Sequence, residues 1–408
     1  MREPPPRVEQ AIGTIASRPL QILLPTSHDW TTLGTGGGIG TFLNTFFEHA
    51  SEWSLRVTVI CAGPREAIQG SVRFLPITAY APSELAFVRQ LRRRLISGEI
   101  ILPEGAVVLA NTEHYAWAFR GLGFPIVLMS HGAVAETLKM RHSRLFVHLY
   151  RFLIERSAVA HSRRIVAVNP SLRNYYLKHY PMLRPSMVQV VPVGVDLRDF
   201  EGRPRSNPLT AFSLSRDSNV ILFVGRLYPE KNLALFIAAC DNLRRRGETF
   251  EAVVIGDGVE SLELAKAAAS RLWLHWIPKM SRSDVLDAVA MARVIVVCSR
   301  YEAGPLILLE ALGSGTAVVS TDVGRARELV TDRVGRIVQS DPESCADGIQ
   351  DMLSQSPSVT HEASKQVWAR IEFRDTMNSL VGILREAGQP GDRGLLHGHV
   401  DVRNDEFR

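Results

Sequence analysis

Short runs of apolar residues alternate along this chain with longer segments in which apolar residues recur every three or four positions. Short runs of about four to eight apolar residues are typical of buried strands, and the longer period is typical of helices. In the first half the pattern predicts strands at residues 20–24, 56–61, 72–75, 106–110, 126–129 and 165–168. In the second half it predicts strands at residues 220–224, 252–255, 272–277, 294–298 and 317–320.

This alternation predicts an α/β protein with parallel sheets covered by helices on both faces. Prolines, glycines and charges interrupt the pattern at residues 201–208, which indicates a linker between two doubly wound domains. The cleft between the domains is the expected ligand site. The predicted division is a flexible leader (1–19), a first domain (20–204), a second domain (205–372), a C-terminal helix (373–387) and a disordered tail (388–408).

Composition places the chain among globular proteins, because 46% of its 408 residues are hydrophobic. No apolar run reaches the about 18 residues typical of a membrane-spanning helix, and residues 1–19 contain no apolar signal core. We therefore expect a cytoplasmic protein. The four cysteines are widely scattered, which predicts buried free thiols rather than a zinc site or disulfides.

Positive charge is concentrated in the first half. Residues 1–205 contain 24 lysines and arginines against 15 acidic residues, whereas residues 206–408 contain 23 against 27. A basic half predicts an anionic partner, which is a membrane surface, a phosphorylated acceptor or a nucleic acid. We expect no nucleic acid, because the chain lacks an aromatic platform or a recognised binding motif. Residues 88–95 and 138–164 mix basic and apolar residues, and they either contact anionic lipid or cover the core.

A glycine-rich segment, residues 36–40, follows the first strand and precedes a helical pattern. Glycines let backbone amides approach an anion closely, and a helix N-terminus adds a favourable dipole. The spacing matches neither a dinucleotide fingerprint nor a Walker loop. Gly37 and Gly38 are therefore candidates for contact with a phosphate, and a plain tight turn is the alternative.

Two cations, Arg226 and Lys231, lie between the first strand of the second domain and the next helix. Cations at a helix N-terminus oppose the dipole unless an anion such as a diphosphate lies between them. Solvated surface charges are the alternative interpretation. The next strand ends in a Gly-Asp-Gly turn at the same predicted sheet edge, which places Gly256 there as well.

Two glutamates eight positions apart follow the strand at residues 294–298. Glu302 lies in the loop after the strand, where open α/β sheets bind their ligands. Glu310 lies about two turns into an apolar helix, where a carboxylate needs a partner such as the hydroxyls of a ribose. Backbone amides of Gly304, Leu306 and Ile307 are available near the start of that helix.

His131 follows the strand at residues 126–129 and is a further candidate, although a lone histidine is often structural. The chain contains no Asp-x-Asp and no His/Cys cluster with ligand spacing, so we expect no metal and no cofactor. Arg226 and Lys231 would supply the neutralisation that a metal ion provides elsewhere.

Together these features resemble the retaining enzymes of glycosyltransferase family 4, which have the GT-B fold. The resemblance covers roughly residues 20–385, and its motifs agree in order and spacing. The matching segments are residues 36–40, 192–196, 225–232, 255–258, 302–315 and 318–328.

The resemblance implies two Rossmann-like domains that face a central cleft, and a final helix that crosses back to the first domain. It also implies roles for the candidate residues. These are catalysis by His131, Glu302, Arg226 and Lys231; donor diphosphate contacts from Gly37, Gly38, Arg226 and Lys231; sugar contacts from Glu302, Gly304, Leu306 and Ile307; and ribose or nucleotide contacts from Glu310 and Gly256. Departures from the usual family pattern at Pro278 and Gly304 leave the donor base and sugar open.

The resulting prediction is a metal-independent transfer of a sugar from a nucleotide diphosphate sugar to a hydroxyl acceptor, with retention at the anomeric carbon. The alternatives are a nucleotide-sugar epimerase or hydrolase on the same fold, and a non-catalytic GT-B scaffold protein. We also expect peripheral contact with anionic membrane through the basic first domain, at the inner face of the membrane.

Overall fold

The computed structural model describes residues 19–35, 37–80, 82–139, 143–201, 206–215 and 217–390. The predicted leader and tail, apart from Pro19 and residues 388–390, lie outside the described residues. Gly36 and linker residues 202–205 lie outside them as well.

The first domain is built on a sheet with the strand order β3-β4-β2-β1-β5-β6-β7-β8 among the described residues. All neighbouring strands are parallel except β3, which pairs antiparallel with β4. The strands are β1 (Leu20–Asp29), β2 (Leu55–Ala62), β3 (Ala67–Gln69), β4 (Val72–Thr78), β5 (Val107–Ala110), β6 (Ile126–Ser130), β7 (Arg164–Ala167) and β8 (Val188–Val190).

Helices connect these strands and cover both faces of the sheet, so central strands such as β5 and β6 are buried along their whole length. A π-helical segment, Arg151–Glu155, joins α5 to α6 without a break. The helices of the first domain are α1 (Gly37–His49), α2 (Glu84–Ile96), α3 (Glu113–Phe119), α4 (Val134–Lys139), α5 (Arg144–Tyr150), α6 (Arg156–His161) and α7 (Pro170–His179).

The second domain has an all-parallel sheet in the order β11-β10-β9-β12-β13-β14 in the described chain. Its strands are β9 (Val220–Val224), β10 (Glu251–Ile255), β11 (Leu274–Ile277), β12 (Val294–Val297), β13 (Ala317–Thr321) and β14 (Gly335–Val338). The remaining helices are α8 (Leu233–Arg245), α9 (Ser261–Ala269), α10 (Arg282–Met291), α11 (Leu306–Ser314), α12 (Ala326–Leu329), α13 (Pro342–Ser354), α14 (Pro357–Trp368) and α15 (Phe373–Gly388).

The predicted strands are confirmed, and the four cysteines are buried free thiols. The sequence pattern did not predict β3, β8 and β14. Each has three or four residues and includes polar or half-exposed positions, so it lacks a continuous apolar run.

The prediction for the glycine segment was partly wrong. Strand β1 continues to Asp29, a 3-10 turn spans Trp30–Thr35, and α1 begins at Gly37. The Asp29 carboxylate accepts hydrogen bonds from the backbone and hydroxyl of Thr31, which stabilises the turn. Gly37 has φ of +76°, a conformation that favours glycine. The described glycines therefore form the first turn of α1 rather than a loop before it.

The chain passes between the domains at two adjacent points. The first lies at Gly194 and Val195 and not at the predicted linker, residues 201–208, because Val195 and Phe200 already pack in the core of the second domain. The Val195 amide donates to the Ile371 carbonyl at 2.8 Å, and the Phe373 amide donates to the Val195 carbonyl at 3.0 Å. At Gly194 any Cβ would lie 2.7 Å from the Glu372 backbone, so only glycine permits this crossing. Helix α15 then packs into the core of the first domain, where Leu380 is fully buried. The two crossings form a narrow connection between the domains.

Candidate active site

The carboxyl ends of the two sheets face each other across a cleft of about 900 Å³. The structure brings every predicted site residue to this cleft. Those residues are Gly37, Gly38, His131, Arg226, Lys231, Gly256, Glu302, Gly304, Leu306, Ile307 and Glu310. Ligands of open α/β sheets bind at this edge, so the cleft is the candidate active site.

Lys231 and Glu302 form an ion pair in the second domain. The Lys231 ammonium donates to Glu302 Oε1 at 2.5 Å, and the Ser299 hydroxyl donates to the same oxygen at 2.8 Å. Lys231 ends a 3-10 turn, and Asn232, with φ of +56°, turns the chain into α8. The ion pair therefore joins the loop after β9 to the loop after β12.

Gly256 lets the turns after β9 and β10 approach each other. A Cβ on Gly256 would lie 1.9 Å from the Gly225 carbonyl oxygen, a distance that no side chain tolerates. The Gly225 amide also donates to Ile255. This close approach places Arg226 beside Gly256 at the floor of the cleft.

Glu310 has a partner that the sequence did not reveal. Glu310 lies in α11 and is only 4% exposed, and the guanidinium of Arg282 donates a hydrogen bond to its carboxylate. Arg282 begins α10, whose N-terminus is capped by Ser281. An arginine at a helix N-terminus is unfavourable for the helix dipole. The same unfavourable position identified Lys231 from the sequence, so it could have identified Arg282 as well.

His131 lies on the first-domain side, in contact with Phe42 at 5.1 Å between ring centroids. Its Nε2 is 3.2 Å from Asn111 Oδ1. An amide oxygen only accepts, so Nε2 carries the proton and Nδ1 retains a lone pair. Burial lowers the pKa of His131 to about 4, so the imidazole is neutral at pH 7.

Two hydrogen bonds join the domains on either side of Glu302. The Ala133 amide donates to the Tyr301 hydroxyl at 2.8 Å, and the Asn169 side-chain amide donates to the Ala303 carbonyl at 2.5 Å. Neither Tyr301 nor Asn169 was among the site residues predicted from the sequence. The Glu302 loop is therefore held between the loops that follow β6 and β7.

Protein-family models match both halves of this chain. The family description "Glycosyltransferase Family 4" matches residues 36–199, and "Glycosyl transferases group 1" matches residues 210–367. The chain belongs to glycosyltransferase family 4. The resemblance noted in the sequence is thus confirmed.

Relatives of this family 4 chain include a D-inositol 3-phosphate glycosyltransferase of Frankia alni, 33% identical over 62% of the chain and 63% of the relative. An alpha-maltose-1-phosphate synthase of Mycolicibacterium smegmatis is 29% identical over 46% of the chain and 51% of the relative. The chain thus spans about half the length of the first curated relatives that it matches.

Solved structures show that this member of family 4 has the GT-B fold. Sucrose-phosphate synthase from Thermosynechococcus elongatus superposes with a TM-score of 0.75 at 16% identity, over 90% of the chain and 98% of that protein. Anabaena Alr3699/HepE, solved in complex with UDP-glucose, superposes with a TM-score of 0.69 at 16% identity, over 90% and 100%.

Replacing Tyr301 by Phe should weaken closure of the two domains, because it removes the acceptor for the Ala133 amide. A neutral hydrogen bond contributes about 0.5–1.5 kcal/mol, which is about a two- to tenfold change in an equilibrium. Small-angle scattering should show a larger radius of gyration than for the wild type. Tyr80→Phe, at a tyrosine that is 84% exposed, should leave the scattering unchanged. Identical curves for all three proteins would contradict this role of Tyr301.

His131 should make the protein less stable in acid. Its pKa in the folded protein is about 4, against an ordinary 6.5, so the unfolded chain binds more protons between these values. The contribution of neutral His131 to the free energy of unfolding is therefore fully present above pH 6.5 and is lost as the pH falls towards 4. Thermal unfolding between pH 4.5 and 7.5 should show a smaller acid loss for His131→Gln than for wild type. The exposed His179→Gln should behave as wild type, and an unchanged slope in His131→Gln would refute the assignment.

Proposed function

We propose that this chain transfers a sugar from a nucleotide diphosphate sugar to a hydroxyl of an acceptor, with retention at the anomeric carbon and without a metal ion. One observation carries the proposal. Arg226 and Lys231 of the second domain line the same cleft as Gly37 and Gly38 in the first turn of α1, and Glu302 lies in that cleft as well. The fold neighbour Alr3699/HepE binds UDP-glucose, which supports a nucleotide sugar as the donor.

Transfer breaks the bond between the anomeric carbon and the diphosphate oxygen. Positive charge develops on the sugar and negative charge on the departing diphosphate. Arg226 and Lys231 stabilise the negative charge, and the N-terminus of α1 adds backbone amides and a favourable dipole. Together these groups offset the negative charge of the departing diphosphate.

Glu302 has a supporting role in this mechanism. Its Oε1 already accepts from Lys231 and Ser299, so the carboxylate orients Lys231 and is free to accept from a sugar hydroxyl through its other oxygen. The departing phosphate oxygen takes the proton of the acceptor hydroxyl on the face that it leaves. The new bond therefore forms on that same face, which gives retention.

Glu310 binds the ribose of the donor in this proposal. Ribose hydroxyls donate to its carboxylate, which also accepts from Arg282. Arg282 therefore shares Glu310 with the ribose or moves aside when the donor binds.

Two other functions of the same scaffold make different predictions. An epimerase or hydrolase would form product without an acceptor, and a scaffold protein would form none. The ion pair of Lys231 and Glu302 inside the cleft favours a reactive site over a scaffold. Incubation of a nucleotide sugar with and without acceptors distinguishes the three functions.

Donor binding and turnover test the diphosphate assignment. UDP, GDP, ADP and dTDP are compared by thermal stabilisation with and without magnesium, and we expect one of them to stabilise the protein independently of magnesium. Lys231→Ala or Arg226→Ala should lower kcat by about 10²–10³-fold, because each removes a charge that stabilises the leaving group. Lys266→Ala removes an exposed lysine of α9 and should leave kcat unchanged. Near-wild-type turnover in both site variants would refute the assignment.

We further propose peripheral contact of the first domain with anionic membrane. No helix in the described ranges is long and apolar enough to cross a bilayer. Five apolar side chains on one face of the helical run from α5 into the π-helical segment are 47–74% exposed. They are Leu145, Phe146, Leu149, Phe152 and Leu153. The exposed Arg144 and Arg156 flank this apolar face, and the combination of apolar side chains and cations suits an anionic interface.

Vesicle binding tests the membrane contact. Wild-type protein should sediment with phosphatidylglycerol vesicles and much less with phosphatidylcholine vesicles, because the contact combines apolar burial with charge. The double variant Leu149→Ser/Phe152→Ser should lose most of this binding. Leu272→Ser removes a residue that is 97% exposed in the second domain and should have no effect. Wild-type protein that stays in the supernatant would refute the contact.

A further inference from the structure

The two walls of the cleft differ in charge. Among the described residues that line it, the four lysine and arginine side chains are Arg226, Lys231, Lys279 and Arg282, and all belong to the second domain. The first-domain wall beyond His131 carries carboxylates and neutral polar groups instead. We call this wall the acceptor pocket, and its residues are His28, Glu84, Asn111, Thr112, Glu113 and Tyr115.

Glu84 gives the acceptor pocket its negative field. The carboxylate starts α2 and accepts a hydrogen bond from the Thr112 hydroxyl at 2.9 Å. His114 lies 3.6 Å from the same oxygen. Burial raises the pKa of Tyr115, and the charge of Glu84 raises it further. Burial lowers the pKa of His28, Glu84 opposes this lowering and Arg226 adds to it. Among the described residues, a phosphate group in this pocket would meet the Glu84 carboxylate and no arginine of the first-domain wall.

Glu113 adds a second acidic group behind Glu84. It is 1% exposed and accepts hydrogen bonds from the hydroxyls of Tyr176 at 2.5 Å and Tyr150 at 3.4 Å. Burial raises the pKa of Glu113, and Glu84 raises it further. A raised pKa favours the neutral carboxyl, so Glu113 contributes a buried polar group to this wall and Glu84 contributes its negative charge.

Asn111 points independently to an oxygen-bearing ligand. It is 3% exposed, and its Oδ1 already accepts from His131. Its Nδ2 is buried without a hydrogen-bond partner in the part of the chain that the structure describes. A buried donor without a partner is destabilising, so the site is completed when a ligand oxygen accepts from Nδ2.

We infer that the part of the acceptor that enters this pocket is an unphosphorylated polyol, neutral or amine-bearing, whose hydroxyl or ammonium group donates to Glu84 and whose oxygen accepts from Asn111. This inference rests on the proposed function and narrows its acceptor. It also excludes a phosphorylated group from this pocket, because no described lysine or arginine of the first half lines it.

Matched acceptor pairs test the inference. Glucose, myo-inositol and glucosamine are compared with glucose 6-phosphate, inositol 3-phosphate and glucosamine 6-phosphate, at saturating donor, by release of the nucleotide diphosphate. At least one unphosphorylated compound should raise release above hydrolysis, with kcat/KM about tenfold or more above its phosphorylated partner, since like charges disfavour binding. A preference for any phosphorylated partner would overturn the inference. So would a panel in which no unphosphorylated compound acts while the diphosphate still stabilises the protein.

Variants of Glu84 separate its charge from its shape. Glu84→Gln should raise the acceptor KM by about tenfold more than the donor KM, because it removes the charge and keeps the size. Glu84→Lys should shift the ratio of kcat/KM between the members of each pair towards the phosphorylated one. Glu104→Gln, at an exposed carboxylate outside the cleft, is the control and should change neither. An unchanged ratio in Glu84→Lys would also overturn the inference.

If no nucleotide diphosphate stabilises the wild type, the proposed function fails instead, and the two failures are distinguishable.

Discussion

The parallel arrangement of the strands is the constraint on which the site depends. Parallel strands need crossover connections, so every strand in a sheet ends at the same edge, and the loops that leave this edge collect there. In this chain two such edges face each other. Gly225, Gly256 and Glu302 each follow a different strand of the second sheet, and His131 follows a strand of the first. Residues far apart in sequence therefore share one cleft.

The interface between the domains gives that cleft its geometry. Tyr301, which precedes Glu302, and Ala303, which follows it, each form a hydrogen bond with the first domain, and Lys231 pairs with the Glu302 carboxylate. The crossing at Val195 and the return of α15 connect the domains beside each other. The contacts on both sides of Glu302 therefore hold this residue within the cleft.

The charges divide the cleft into two chemically different halves. Cations of the second domain suit a donor diphosphate, whereas Glu84 and Glu113 of the first domain suit donors of hydrogen bonds. His131 lies between the halves as a neutral imidazole oriented by Asn111. The net charge of a domain did not predict this division, because no described lysine or arginine of the first domain lines the cleft.

The sequence by itself determined the strands with continuous apolar runs, the α/β class and the groups within each motif, but not the short strands β3, β8 and β14. Arg226, Lys231, Glu302 and Glu310 were recognisable because each follows a strand at short range, and local spacing predicts which sheet edge a residue joins. Only the tertiary structure decided which groups meet. The pairs Arg282–Glu310, Tyr301–Ala133 and His131–Asn111 depend on strand order and on how two separate sheets face each other. The periodicity of apolar residues indicates which side chains are buried and which face of an element they occupy. It does not indicate which residue lies opposite across a sheet or a cleft, so these contacts could not be predicted from it.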